Sequence, residues 1–127
     1  MKVLVAETDE KLKKSLIDVL WAGGYEAVGV PDGFTAWKNL LWEGADICVL
    51  NTDLPGIDGF ELLRMIRRSE LFSGMPVLML TARNTAEAQA AGYDQGCDDC
   101  VVVPVDEHVF LARIKTLERR ILKKMKL

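Results

Sequence analysis

Four short stretches hold the positions to read for chemistry, three of them polar: Glu7-Thr8-Asp9, Asn51-Thr52-Asp53, Thr81-Ala82-Arg83 and the apolar Val103-Pro104. Each follows directly on an apolar run. Carboxylates are hard oxygen ligands, and Mg²⁺ is held by as little as one or two of them plus waters. Glu7 and Asp53 are thus the candidate metal ligands, against the reading of a solvated acidic loop, which we favour. Cys97-Asp98-Asp99-Cys100 has the spacing of a redox pair. Such pairs open a helix, whereas this one enters a strand beside two acids that raise thiol pKa. His108, the only histidine, has no Ser or Cys nucleophile beside it. Gly23-Gly24 ends a helix rather than opening one, so it is no phosphate loop. Trp21, Trp37 and Trp42 fall on helices, where packing is expected, with Trp37 and Trp42 as candidates for a partner surface.

The elements that must position these residues are legible from pattern. Val3–Ala6, Tyr25–Val30, Ile47–Leu50, Pro76–Leu80 and Val101–Val103 read as short buried strands. Between them lie helical spacings: 9–22 with Leu12, Leu16, Val19 and Leu20, then Asp32 as N-cap of a helix to about Glu43. Asp58 with Glu61, and Asn84 with Glu87, have capping-box spacing for the next two helices, the second ending at Gly92. Asp106 caps the last, with the stripe Phe110, Ile114, Leu117 and Ile121. Alternating strands and helices predict an α/β domain with a five-stranded parallel sheet covered on both faces. In such sheets chemistry sits outside the carboxyl ends of the strands, where the four stretches fall.

Composition agrees. The 127 residues are one domain's worth, half of them hydrophobic. No apolar run is long enough to span a bilayer, and the first residues turn acidic too early for a signal peptide, so a cytoplasmic location is expected. Three cysteines make no disulfide framework. The net charge of −3 hides an asymmetry: residues 113–127 carry seven basic residues and one acid, leaving nine basic and eighteen acidic before them. An acidic body disfavours direct nucleic-acid binding. The basic tail could touch an acidic surface or simply be a solvated helix end.

The run Asp46-Ile47-Cys48-Val49-Leu50-Asn51-Thr52-Asp53-Leu54-Pro55-Gly56-Ile57-Asp58-Gly59, then Pro76 to Arg83 and Gly96-Cys97-Asp98-Asp99, resembles the receiver domain of two-component response regulators. Leu111 to Lys115 with Arg119-Arg120 is similar to the OmpR-type, winged-helix subfamily. The resemblance covers the whole chain. It implies a flavodoxin-like sheet of order 2-1-3-4-5 with five helices. It also implies a site of five parts: a phosphoacceptor aspartate after the third strand, two metal-binding carboxylates after the first, a Thr or Ser after the fourth and a Lys after the fifth. Phosphoryl transfer to a carboxylate is mostly positioning and charge neutralisation, which that set supplies.

Three of the five parts are missing. Asn51 stands at the acceptor position and its neutral amide is no nucleophile. Thr8 replaces one metal acid, and Val103 replaces the lysine. Thr81 and Glu7 remain. The switch partner of Thr81, an aromatic in the family, is Cys100. These losses together imply a pseudo-receiver: a non-enzymatic, phosphorylation-independent interaction module of a transcription regulator, with Mg²⁺ binding weak or absent and no other cofactor. The alternatives are a receiver still phosphorylated or metal-loaded through substitutes such as Asp53, Thr52 or Thr81, and an engineered inactive receiver. A flavodoxin-like cofactor binder is disfavoured by the acidic, glycine-free loop Glu7 to Glu10.

The resemblance also implies partners. A sensor kinase or another signalling protein is one. A second copy is the other, docked through the fourth helix, fifth strand and fifth helix, with Asp98 and Asp99 meeting Arg113 and Arg120, Asp94 meeting Lys115, and Ala90, Tyr93 and Ala112 as the apolar patch. The receiver-like domain is expected over 1–120, with 121–127 opening a basic linker to a C-terminal DNA-binding effector domain that this chain does not contain.

Overall fold

The computed structural model describes residues 1–126. In chain order it places β1 (Lys2–Ala6), α1 (Glu10–Ala22), β2 (Glu26–Val30), α2 (Gly33–Trp42), β3 (Ile47–Asn51), α3 (Gly59–Arg68), β4 (Val77–Thr81), α4 (Ala86–Asp94), β5 (Asp99–Val102) and α5 (Glu107–Met125). All strand pairings are parallel and the order is β2-β1-β3-β4-β5, as expected. The sheet divides the core in two. Leu4, Ala6, Cys48, Leu50 and Met79 face α2 and α3, while Val3, Val5, Val49, Leu78 and Leu80 face α1 and α5. Burial on both faces is why these strands read as unbroken apolar runs.

The caps hold the helices to the strand ends. Asp9, Asp32, Asp58 and Asp106 each accept a backbone N–H in the first turn of α1, α2, α3 and α5. The fourth helix differs from expectation. Thr85 rather than Asn84 is the N-cap, accepting from the Ala88 N–H at 3.1 Å. Gly92 does not stop α4 but lies inside it, where a Cβ would stand 3.2 Å from Cys97 Sγ. The helix ends two residues later, and Gly96, at φ +104°, turns the chain. The last helix runs to Met125 with Ile121 packed on the core, so the segment expected to open a linker at 121 is helical through Met125. Leu127 lies outside the described residues. Among those residues no helix is long and apolar enough to cross a membrane.

Of the three tryptophans, Trp37 packs as expected and Trp21 and Trp42 correct the expectation. Trp37 is half-buried edge-on against Phe72, with ring centroids 6.3 Å apart. Trp21 and Trp42 are 56% and 85% exposed. Helical spacing alone does not tell which side of a short helix meets the sheet.

Candidate functional site

The parallel sheet brings Glu7, Asn51 and Thr81 to one end because β1, β3 and β4 are neighbours in register, with Ala6 opposite Leu50 and Asn51 opposite Leu80. Glu7 is 2% exposed. Its Oε1 accepts from Asn51 Nδ2 at 2.7 Å, and its Oε2 accepts from the N–H groups of Thr8 at 2.7 Å and Asp9 at 3.1 Å. Asn51 Oδ1 accepts from the Asp53 N–H at 2.8 Å. The orientation of the amide follows from chemistry: a carboxylate only accepts, so the NH₂ must face Glu7. Gly59 makes the loop possible, since a Cβ there would collide with the Asn51 carbonyl oxygen.

The other expected site residues are turned elsewhere or unsuited. Thr8 Oγ1 donates to the Pro31 carbonyl at 2.8 Å. Thr81 is 2% exposed and its Oγ1 accepts from the Arg83 N–H at 3.1 Å. Val103 packs its side chain against the α1–α5 core, ahead of a cis bond to Pro104. A recess of about 260 Å³ beside Thr81 is lined by Thr52, Asp53, Asp58, Phe60 and Arg83. Cys100 is buried, directly opposite Met79, two places from the residue opposite Thr81. Its N–H is shared between Asp99 Oδ1 at 2.9 Å and the Tyr93 hydroxyl at 3.3 Å.

The donor set does not fit Mg²⁺. Both Glu7 oxygens are occupied by N–H donors, Asn51 presents hydrogens where a cation would need lone pairs, and Asp53 is exposed. The site can hold a buried carboxylate in place. At the positions where the family resemblance expects the acceptor and the lysine it presents the Asn51 amide and the Val103 side chain, and the one cation lining the recess beside Thr81 is Arg83.

The expected dimer charges meet within one chain. Arg113 donates to both oxygens of Asp99 at 2.9 and 3.1 Å, and Arg120 lies 3.7 Å from Asp98. Asp98 Oδ2 also accepts from Arg67 and from the Val77 N–H, both at 2.8 Å. Asp94 and Lys115 have no ion-pair partner among the described residues, and Ala90, Tyr93 and Ala112 are exposed. Tyr93 is not purely apolar here: its hydroxyl lies 3.3 Å from Asp99 Oδ1.

Sequence reading missed Arg67. Its guanidinium donates to the carbonyls of Gly96, Ser73 and Met75 at 2.8, 3.1 and 2.6 Å, besides Asp98. It thereby ties α3 to the turns before β4 and β5. No local signal separates it from its neighbours Arg64 and Arg68. The thiols are raised in the direction their acidic setting implied, with burial the larger cause. Burial, then the neighbouring Cys100 and acids, push Cys97 up to about 12, and burial and Asp99 raise Cys100.

Residues 3–115 match the response regulator receiver domain. The chain belongs to that family. It is 35% identical over 120 residues to the probable transcriptional regulatory protein SilR of Salmonella typhimurium, covering 94% of this chain and 52% of that protein. It is 37% identical over 118 residues to the transcriptional regulatory protein AfsQ1 of Streptomyces coelicolor, covering 93% and 51%. This receiver therefore spans about half the length of those curated relatives. A solved receiver domain of the Francisella response regulator 1452 superposes with a TM-score of 0.89 at 27% identity, over 94% of this chain and 98% of that one. A putative response regulator from Chloroflexus aurantiacus gives 0.88 at 29%, over 91% and 95%.

Proposed function

We propose that this receiver is a phosphorylation-independent module, the signalling half of an OmpR-type transcription regulator whose DNA-binding domain would follow residue 127. It works without catalysis, by protein contact in the cytoplasm. The observation that carries this reading is the hydrogen bond from Asn51 to buried Glu7. A carboxamide there both removes the nucleophile and fills, with its own N–H, the place where a cation would neutralise Glu7. Thr8 stands where the family has its second acid and Val103 where it has its lysine. Exposure to acetyl phosphate or beryllofluoride with Mg²⁺ should give no added mass and no change in amide spectra. A stoichiometric phosphoryl adduct would refute the reading.

Self-association through α4, β5 and α5 is the contact that the family resemblance suggests. The pairs Arg113–Asp99 and Arg120–Asp98 within the chain bear on its strength: a dimer would exchange them for equivalent pairs across the two-fold, with little net gain. Its attraction would rest on Asp94 with Lys115 and on the patch of Ala90, Tyr93 and Ala112. A sensor kinase or other signalling protein is the second kind of partner.

A further inference from the structure

The recess of about 260 Å³ beside Thr81 is walled by the ends of β3 and β4, by α3 and by α4, and neither the Glu7–Asn51 pair nor the contact face on α4, β5 and α5 uses it. Drug-sized ligands take pockets of about 300 Å³ and more, so its occupant is a small molecule. Two hydroxyls in the wall are unspent. Thr52 is 7% exposed, its N–H and carbonyl are engaged by Leu80 and Gly59, and its hydroxyl has no hydrogen-bond partner among the described residues. Thr81 is buried and its oxygen accepts from the Arg83 N–H, which leaves the O–H hydrogen without an acceptor there. Buried hydroxyls left open in a cavity wall are groups that a polar ligand satisfies.

The charged groups of the recess decide the character of that ligand. Two carboxylates, Asp53 and Asp58, stand against one guanidinium, Arg83. Asp58 Oδ1 is spent on the Glu61 N–H at 2.9 Å, as the cap of α3. Asp53 and Arg83 are exposed and have no ion-pair partner among the described residues, so the free pair is one acid and one cation. A plain anion such as phosphate meets the two carboxylates. A plain amine or metal ion meets the guanidinium with nothing to offset it. A zwitterion gives each sign its opposite: its carboxylate takes the planar fork of Arg83 and its ammonium takes Asp53. The rest of the wall, Phe60 from α3 with Ala88 and Ala91 from α4, is apolar and half-buried, which suits a short hydrocarbon side chain.

We propose that this recess binds a small apolar α-amino acid, with its carboxylate on Arg83 and the two threonine hydroxyls, its ammonium on Asp53 and its side chain against Phe60. The proposal does not rest on phosphorylation independence, since amino-acid binding and inertness to acetyl phosphate are measured separately. The probes are L-valine and L-leucine, beside isopentylamine and isocaproate, which are leucine without its carboxylate and without its amine. Titrated into the labelled domain, both amino acids should move the amides of Thr52, Asp53, Thr81 and Arg83 to saturation and leave those of Leu71 and Ile121 in place. Each fragment should bind at least tenfold more weakly than leucine. Arg83→Ala should weaken leucine at least tenfold and leave isopentylamine unchanged, while Asp53→Asn should weaken leucine by a similar factor and leave isocaproate unchanged. Both positions are exposed, so both variants keep the fold. A fragment that binds as tightly as leucine would make this a plain anion or cation site and overturn the proposal. Leucine binding indifferent to either variant, shifts confined to other regions, or no saturable shift with either amino acid at tens of millimolar would overturn it too.

Discussion

Two carboxylates at opposite ends of the sheet show how differently one group can be held. Glu7 receives three neutral N–H donors, from Asn51, Thr8 and Asp9, and is almost fully buried. Asp98 receives one backbone N–H and two guanidinium groups, and is partly open to water. Both have their lone pairs satisfied, but only Asp98 has its charge neutralised. Hydrogen-bond satisfaction and charge compensation are separate requirements. In receivers that phosphorylate, the second requirement is where a metal and a lysine enter. Here neutral N–H dipoles alone hold Glu7.

The sharpest way to break this contrast is at Arg67. Arg67→Ala removes a cation from Asp98 and leaves three carbonyls without their donor. Denaturant unfolding should show a loss of about 3 kcal/mol, below the full cost of an orphaned buried charge because Asp98 is partly hydrated. An effect under about 1 kcal/mol would mean that the neutralised end contributes little.

At the other end, Asn51→Asp brings a second carboxylate against Glu7 where an N–H donor stood. Like charges at that spacing oppose ionisation of both, so stability should fall by about 2 kcal/mol at neutral pH and recover on acidification or on adding millimolar Mg²⁺. The unmodified protein should show no such Mg²⁺ response in thermal melts. Phosphorylation of this variant by acetyl phosphate should stay several decades slower than that of Thr8→Asp/Asn51→Asp/Val103→Lys, since each preorganised charge contact is worth on the order of 3 kcal/mol in the transition state. Equal fast rates would show that the missing acid and lysine do not matter.

Cys97, beside Asp98, tests whether burial outweighs the nearby Arg67 cation. A thiol raised to about 12 in the fold favours the native state below its ordinary pKa of about 9, and that stability is lost as pH climbs between the two values. Alkylation by iodoacetamide at pH 8 should therefore be at least tenfold slower in native than in denatured protein, read by mass spectrometry.

The smallest expected effect is at the surface. Arg113→Glu removes a half-exposed pair and should cost about 0.5 kcal/mol. Sedimentation of the same variant tests self-association: any dimer of the unmodified chain should weaken, and one indifferent to the change would not use this face.

What a residue does with its immediate neighbours was readable in one dimension. Asp32, Asp58 and Asp106 declare their helices because a cap and the N–H it accepts are two or three residues apart. Asn84 misled by a single place: Thr85 next to it accepts from the Ala88 N–H and takes the cap. Gly92 misled for another reason: it serves a thiol five residues on, across a turn.

The sequence by itself determined the alternation of five strands and helices and the strand order that the receiver resemblance implied. The resemblance also implied that Asn51, Thr8 and Val103 stand where the family has a phosphoacceptor, an acid and a lysine. Only the tertiary structure decided that Asn51 spends its amide on Glu7, 44 residues away, that Arg67 reaches Asp98 across 31, and that Arg113 and Arg120 close on acids of their own chain. Those choices depend on distances set by packing helices onto a twisted sheet. Local pattern carries no record of which of several equivalent donors arrives first.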